Sequence, residues 1–255
     1  MLDAMSPPIC HGYQCNSIDL IEAHIYARGF ARDMMEDHTH NLKITLDKVQ
    51  ATQHGVFDPG ILCATCDGTL GKLDDYALEV YRRFPREHIR TRDGGFEMPN
   101  IDGDRFATFL LSLLWHAAIT SRVEFRKVSL GPYETAASEV IFGARPLRSL
   151  PAYQLLIGRN VPGGLNFNPE RNYTSPARLK IAERNGYAFA LHGFRVIAKL
   201  DGRPLPPMFR ISSVNGSTKL NGPFIPFHST PEGKAMVEMK KAELVRSMRR
   251  SSGRP

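Results

Sequence analysis

Four cysteines stand in two close pairs, Cys10-x4-Cys15 and Cys63-x2-Cys66, separated by 47 residues. Two pairs of thiolates can surround one zinc tetrahedrally with four sulfur ligands, each pair on its own tight turn. Pro59-Gly60 supplies a turn ahead of the second pair. A helix after that pair would place its positive end against the sulfurs and favour thiolate over thiol. Every cysteine of the chain belongs to one of the pairs. In a reducing compartment such pairs point to metal before disulfide. The sequence therefore predicts one structural zinc on Cys10, Cys15, Cys63 and Cys66 and no disulfide; four ordinary buried cysteines is the competing reading.

Residues 10–66 also hold five of the nine histidines. His11 adjoins Cys10, but four thiolates already complete a zinc shell. Asp37, His38, His40 and Asn41 form a second polar cluster, read as a solvated loop with metal binding as its rival. His116 follows Trp115 inside an apolar stretch and reads as a core histidine. Gly163-Gly164 reads as a loop and not as a phosphate cradle, and no Gly-x-Ser-x-Gly elbow occurs.

The elements that must position these groups follow from periodicity. Leu70, Leu73, Ala77, Val80, Tyr81 and Phe84 lie on one helical face, with Pro85 expected to close the helix. Residues 86–101, with Gly94-Gly95 and Pro99, read as a linker. Asp104 is expected to cap a core helix over 105–120. A shorter helix is expected over Tyr133–Phe142 after Gly131-Pro132. Gln154–Gly158 and Tyr187–Leu200 read as strands, the second bending near Gly193, and Asp201-Gly202 as a turn. Thr230 and Pro231 start a last helix that runs to about Arg249. The class is α+β: an N-terminal zinc module over 1–90, a helical segment over 91–150, and a small mixed α/β region with a basic helix over 151–255.

The order of these parts carries a resemblance. A cysteine pair, a histidine closing a strand (LIEAHIYARGF), and an apolar stretch running into ILCATC and a helix resemble the zinc-bearing HNH nucleases of the treble-clef (ββα-metal) kind over residues 10–84. The resemblance implies a β-hairpin plus helix around a structural zinc, and a separate catalytic divalent ion. His24 takes the place of the water-activating base. Asp58 stands five residues before the second pair, where the family has Asn, and Asp67 follows the pair, where it has His. Ala23 replaces a metal-binding residue and Ala27 a proline. The helix at 105–120 and the segment Leu130–Glu134 also resemble a loosely defined group of bacterial and phage proteins built on such a module. Phosphodiester hydrolysis needs a base, a divalent ion on the phosphate and stabilisation of the leaving oxygen. An imidazole can take up a proton near neutral pH, which suits the residue type of His24 to that role, and Asp58 and Asp67 are oxygen ligands suited to Mg²⁺ or Mn²⁺.

Charge bears on partners. Residues 1–100 carry 10 Lys/Arg against 15 Asp/Glu, and residues 101–255 carry 23 against 11, which gives the overall +7. Lys240, Lys241, Arg246, Arg249 and Arg250 in the last helix can track phosphates without reading sequence, and Arg122, Arg126 and Lys127 form a second basic cluster. Nucleic acid, DNA before RNA, is the expected partner. The longest apolar run, Phe109–Ala118, is too short for a membrane span. The first ten residues have no basic and apolar signal pattern, so a cytoplasmic protein is expected. The function expected is a zinc-stabilised HNH-like endonuclease; the alternative is a non-catalytic zinc module that binds nucleic acid or a protein partner.

Overall fold

A computed structural model describes residues 8–35, 41–44, 49–52, 55–163, 168–209 and 212–252. In chain order the elements begin with β1 (Leu20–His24), α1 (Arg28–Asp33), β2 (Asn41–Ile44), β3 (Val49–Thr52), β4 (Phe57–Cys63) and α2 (Ala64–Glu87). Then come β5 (Ile89–Arg90), β6 (Gly95–Met98), α3 (Gly103–Ile119), α4 (Glu134–Ile141) and β7 (Tyr153–Val161). The chain continues with β8 (Asn172–Thr174), β9 (Ala177–Ile181), β10 (Arg184–Leu191), β11 (Phe194–Leu200), β12 (Leu220–Pro226) and α5 (Pro231–Ser252). The protein is α+β, with its cysteines gathered near the N-terminus.

Two sheets organise the described residues. β1 pairs antiparallel with β4 to form a small hairpin. A larger sheet runs β3-β2-β8-β10-β11-β7-β12-β6-β5, with β9 also on β10. β8 and β9 both pair with β10, so they are one strand interrupted at Ser175-Pro176. The interruption is where a proline, lacking an N–H, cannot serve the ladder. The insertion between β1 and β4 is not a plain loop: β2 runs parallel to β8, from Leu42 against Asn172 to Ile44 against Thr174.

Period-two alternation sorts the sheet faces. Tyr153, Leu155 and Ile157 of β7, with Phe194, Val196 and Ala198 of β11, join the core that also contains the helices. Leu156 and Ile197 point the other way, into a small cluster with Ile181 and Leu205. α3 is buried along most of its length, from Phe106 to Ala117, because apolar residues occupy nearly all its faces. Phe30 of α1 stacks on Phe109 of α3 at 5.4 Å, and Tyr81 and Phe84 of α2 meet Phe194 edge-on at 4.8 and 4.7 Å. One buried core runs from Cys10 to Leu220.

Several local expectations change. Pro85 does not close α2, which continues to Glu87. A proline in the last turn costs only the one hydrogen bond its nitrogen would have donated, and packing holds the rest. The segment expected to be a linker contributes β5 and β6, which extend the sheet through β12. The α3 cap is Asp102, whose carboxylate accepts the Arg105 N–H at 3.0 Å; Asp104 instead accepts the Gly216 N–H at 2.7 Å. The strand expected over 187–200 is a hairpin. Its two-residue turn, His192-Gly193, has φ of 47° and 81°, the left-handed pair of a type I′ turn. The last helix starts as expected, with the Thr230 hydroxyl accepting the Gly233 N–H at 3.0 Å.

Candidate metal centre and its neighbours

The first cysteine pair lies on a loop before β1. The Cys15 N–H donates to the Gly12 carbonyl at 3.0 Å, and Gln14 takes a left-handed φ of 54°, so the loop turns back on itself. The His11 N–H donates to the Ile61 carbonyl at 3.0 Å and ties this loop to β4. Cys63 ends β4 and Cys66 lies in the first turn of α2. The four sulfurs lie within 4.8 Å of one another, and Cys15 and Cys63 are 3.8 Å apart. A tetrahedral zinc with sulfurs at about 2.3 Å has edges of about 3.8 Å. The cysteines are free thiols and not disulfides. Their arrangement fits a structural zinc.

The surroundings suit that role. The Cys10 sulfur accepts N–H groups from Gly12 at 3.4 Å and Cys63 at 3.3 Å, the backbone donors that orient a metal-bound thiolate. Gly12 has no room for a side chain: a Cβ there would lie 2.3 Å from the Cys66 sulfur. Burial pushes the Cys10 and Cys66 thiols up. The Cys66 N–H at the start of α2 pulls the Cys63 thiol down to about 7. A cation held by the four sulfurs would supply the charge that favours their thiolate form. Among the described residues, these cysteines are the one group of three or more potential metal ligands. His11 is exposed and stands outside it.

Of the residues assigned to hydrolysis, His24 and Asp67 come together. His24 ends β1, half-buried, with its ring 6.3 Å from that of Phe57. Asp67 lies in the first turn of α2. Burial raises the Asp67 carboxyl, while the charge and backbone N–H of His24 pull it back. Asp58 is turned away. It is 4% exposed, and one oxygen accepts the Gly60 N–H at 2.8 Å while the other takes the Thr120 hydroxyl in a short hydrogen bond. The pairing explains the split. His24 faces Phe57 and Ala23 faces Asp58 across the hairpin, so His24 and Asp58 project to opposite sides. Asp58 thus pins the end of α3 to β4.

Asp74, which the motif did not single out, lies seven residues beyond Asp67, two turns along one helix face. Burial, with Asp67 and Asp75 nearby, pushes its carboxyl up to about 7. That spacing was the available signal. His116 is a core histidine, pushed down to about 4 by burial. Asp37, His38 and His40 lie outside the described residues, and Asn41 opens β2.

The basic groups divide as well. Arg122 bonds Glu124 at 3.0 Å and the Phe57 carbonyl at 2.9 Å, and Lys43 meets the same Glu124 at 2.7 Å. Burial alone would raise the Glu124 carboxyl, yet Lys43 and Arg122 bring it down to about 2. Arg126 and Lys127 are exposed. Lys241 is exposed and pairs with Glu238 at 2.7 Å. Lys240, Arg246, Arg249 and Arg250 lie within α5, their side chains outside the described residues. Glu232, in the first turn of α5, is buried against Arg195 at 2.5 Å. No helix among the described residues is long and apolar enough to cross a membrane. Comparison of the chain with protein-family models, with curated proteins and with solved structures finds no match, so the chemistry of the site rests on its own geometry.

Proposed function

We propose that the N-terminal part is an HNH-like module of the treble-clef kind and that the protein hydrolyses phosphodiester bonds in nucleic acid. The observation that carries this reading is the meeting of His24 and Asp67 beside the four-thiol cluster. The loop with two cysteines, the β1–β4 hairpin and the cysteine-bearing start of α2 occur in the order such a module requires. The zinc belongs to the cysteines and serves the fold. His24, at the end of the hairpin where the chain leaves β1, takes the proton from an attacking water. Asp67 is the carboxylate that would hold Mg²⁺ or Mn²⁺. One or two carboxylates suffice for such an ion, since Mg²⁺ keeps several waters and takes its remaining contact from substrate phosphate. The bound ion supplies charge stabilisation at the scissile phosphate and the leaving oxygen. Asp58 has no part in this chemistry, both its oxygens being engaged.

The test is nicking of supercoiled plasmid with Mg²⁺ or Mn²⁺ by the intact protein, by His24→Ala and by Asp67→Asn. Cleavage lost in both variants, with the fold and zinc content retained, supports the assignment. Equal nicking by all three proteins overturns it. A second reading is a non-catalytic zinc module that binds DNA or a protein partner. It is favoured by the engagement of Asp58, which takes one of the three expected hydrolytic residues out of the chemistry. DNA binding without cleavage under either metal would establish it.

A further inference from the structure

Away from the cysteines, a two-lobed cavity lies between the end of α2, the β10–β11 turn and residues 168–171. The lobes are about 540 and 340 Å³, and Arg159 and Glu170 line both. Arg159 has a side chain only 8% exposed. Its guanidinium lies over Phe84 and Phe194 at 4.9 and 4.8 Å and donates to the His192 carbonyl at 2.7 Å. Gly193 gives it room, since a Cβ there would come within 2.7 Å of the guanidinium. The counter-charge is Glu170, hydrogen-bonded to Arg159 but 44% exposed, on a short turn following Asn168. A buried, sterically held cation is thus closed by a carboxylate that solvent already reaches.

Two further groups lack partners. Tyr81, 3% exposed, lines the larger lobe, and its buried hydroxyl makes no hydrogen bond. Both polar atoms of the Asn160 amide, on a residue 2% exposed, are unpaired, and Asn160 lines the smaller lobe. Buried polar atoms without partners are uncommon and each costs about 1–3 kcal/mol. The larger lobe carries four arginines against two carboxylates, with Arg82 paired to Asp33 at 2.7 Å and Arg159 to Glu170. The smaller lobe presents the rings of Phe84, His88 and Phe224. One end therefore suits an anion. The other suits a flat apolar ring whose edge offers both a donor and an acceptor to an amide.

We propose that this cavity binds a small anion bearing a planar heteroaromatic group, of the mononucleotide type. The phosphate replaces the Glu170 carboxylate on Arg159 and meets Tyr81, and the ring lies beside Phe224 with its edge on Asn160. Calorimetric titration of the intact protein with AMP, adenosine and inorganic phosphate tests it. AMP is expected to bind at least about tenfold more tightly than either fragment. Glu170→Gln removes the competing charge and should tighten AMP about two- to fivefold. Tyr81→Phe should weaken it about threefold or more. Phosphate binding as well as AMP would overturn the ring lobe, and adenosine binding as well as AMP would overturn the anion site. No heat with AMP at roughly 10 mM, or a weaker Glu170→Gln, would overturn the proposal. So would binding of a 5′-phosphorylated oligonucleotide in the absence of AMP binding. The wild-type titrations test the proposal whether or not either variant folds.

Discussion

Asp58 gives the sharpest test of how the chain uses its acidic residues. The resemblance assigns it to a metal; the structure gives it two partners, the Gly60 N–H at 2.8 Å and the Thr120 hydroxyl 62 residues away. Replacing it by Ala removes both acceptors and leaves a buried N–H and a hydroxyl unpaired. A hydrogen bond to a charged group is worth about 1.5–3 kcal/mol, so two together put the loss near 3–6 kcal/mol. Asp58→Asn keeps one acceptor oxygen and should cost about half as much. Thr120→Val removes only the hydroxyl bond. In a double-mutant cycle with Asp58→Ala, the coupling between the two sites should be about 1.5–3 kcal/mol. Urea unfolding at saturating zinc, followed by circular dichroism, reads each value from the shift in midpoint at constant slope. An Asp58→Ala loss below about 1 kcal/mol with a zero coupling would refute the structural role. Loss of plasmid cleavage in an Asp58→Asn protein of unchanged stability would return Asp58 to the catalytic set.

Freshly reduced protein should hold about one zinc per chain by elemental analysis. Chelation, or Cys63→Ser, should release it and lower the melting temperature, and a metal-free protein with unchanged melting would refute a zinc-dependent fold. Gly12→Ala should weaken zinc retention and cost about 1–3 kcal/mol, because the new Cβ would sit 2.3 Å from the Cys66 sulfur; wild-type zinc affinity in that variant would contradict the packing. Asp74 gives a pH signature: its carboxyl is raised from 3.8 to about 7, so the fold holds the proton that the unfolded chain releases. Its stabilising share is complete below pH 3.8 and is lost as pH rises through about 7. Asp74→Asn should therefore match wild type near pH 4 and exceed it at pH 8, by at most about 4 kcal/mol; a less stable variant at pH 8 would refute the burial argument. Truncation after residue 239 should weaken DNA binding and flatten its dependence on salt, and an unchanged salt slope would remove α5 from the interface.

Much of the secondary structure is legible because its causes are local. The apolar spacing from Leu70 to Phe84, the Thr230-Pro231 start of α5 and the closely spaced cysteines each depend on residues a few positions apart. The 62-residue reach from Asp58 to Thr120 leaves no such trace. Neither does the parallel register of β2 on β8, nor the recruitment of residues 89–98 as the last two strands of the sheet. Arg159, Glu170, Tyr81 and His192 are unremarkable in the sequence because four separate elements bring them together.

By itself, the sequence determined the ligand chemistry: four thiols in two pairs, a histidine at a strand end, acids near a helix start, and an acidic first part ahead of a basic remainder. Those follow from residue type and short spacing. Only the tertiary structure decided which acid accompanies the histidine. Strand pleating puts His24 and Asp58 on opposite sides, and the first turn of α2 carries Asp67 to His24. The same folding closes the sulfurs to zinc-sized distances and spends Asp58 on holding a helix to a strand.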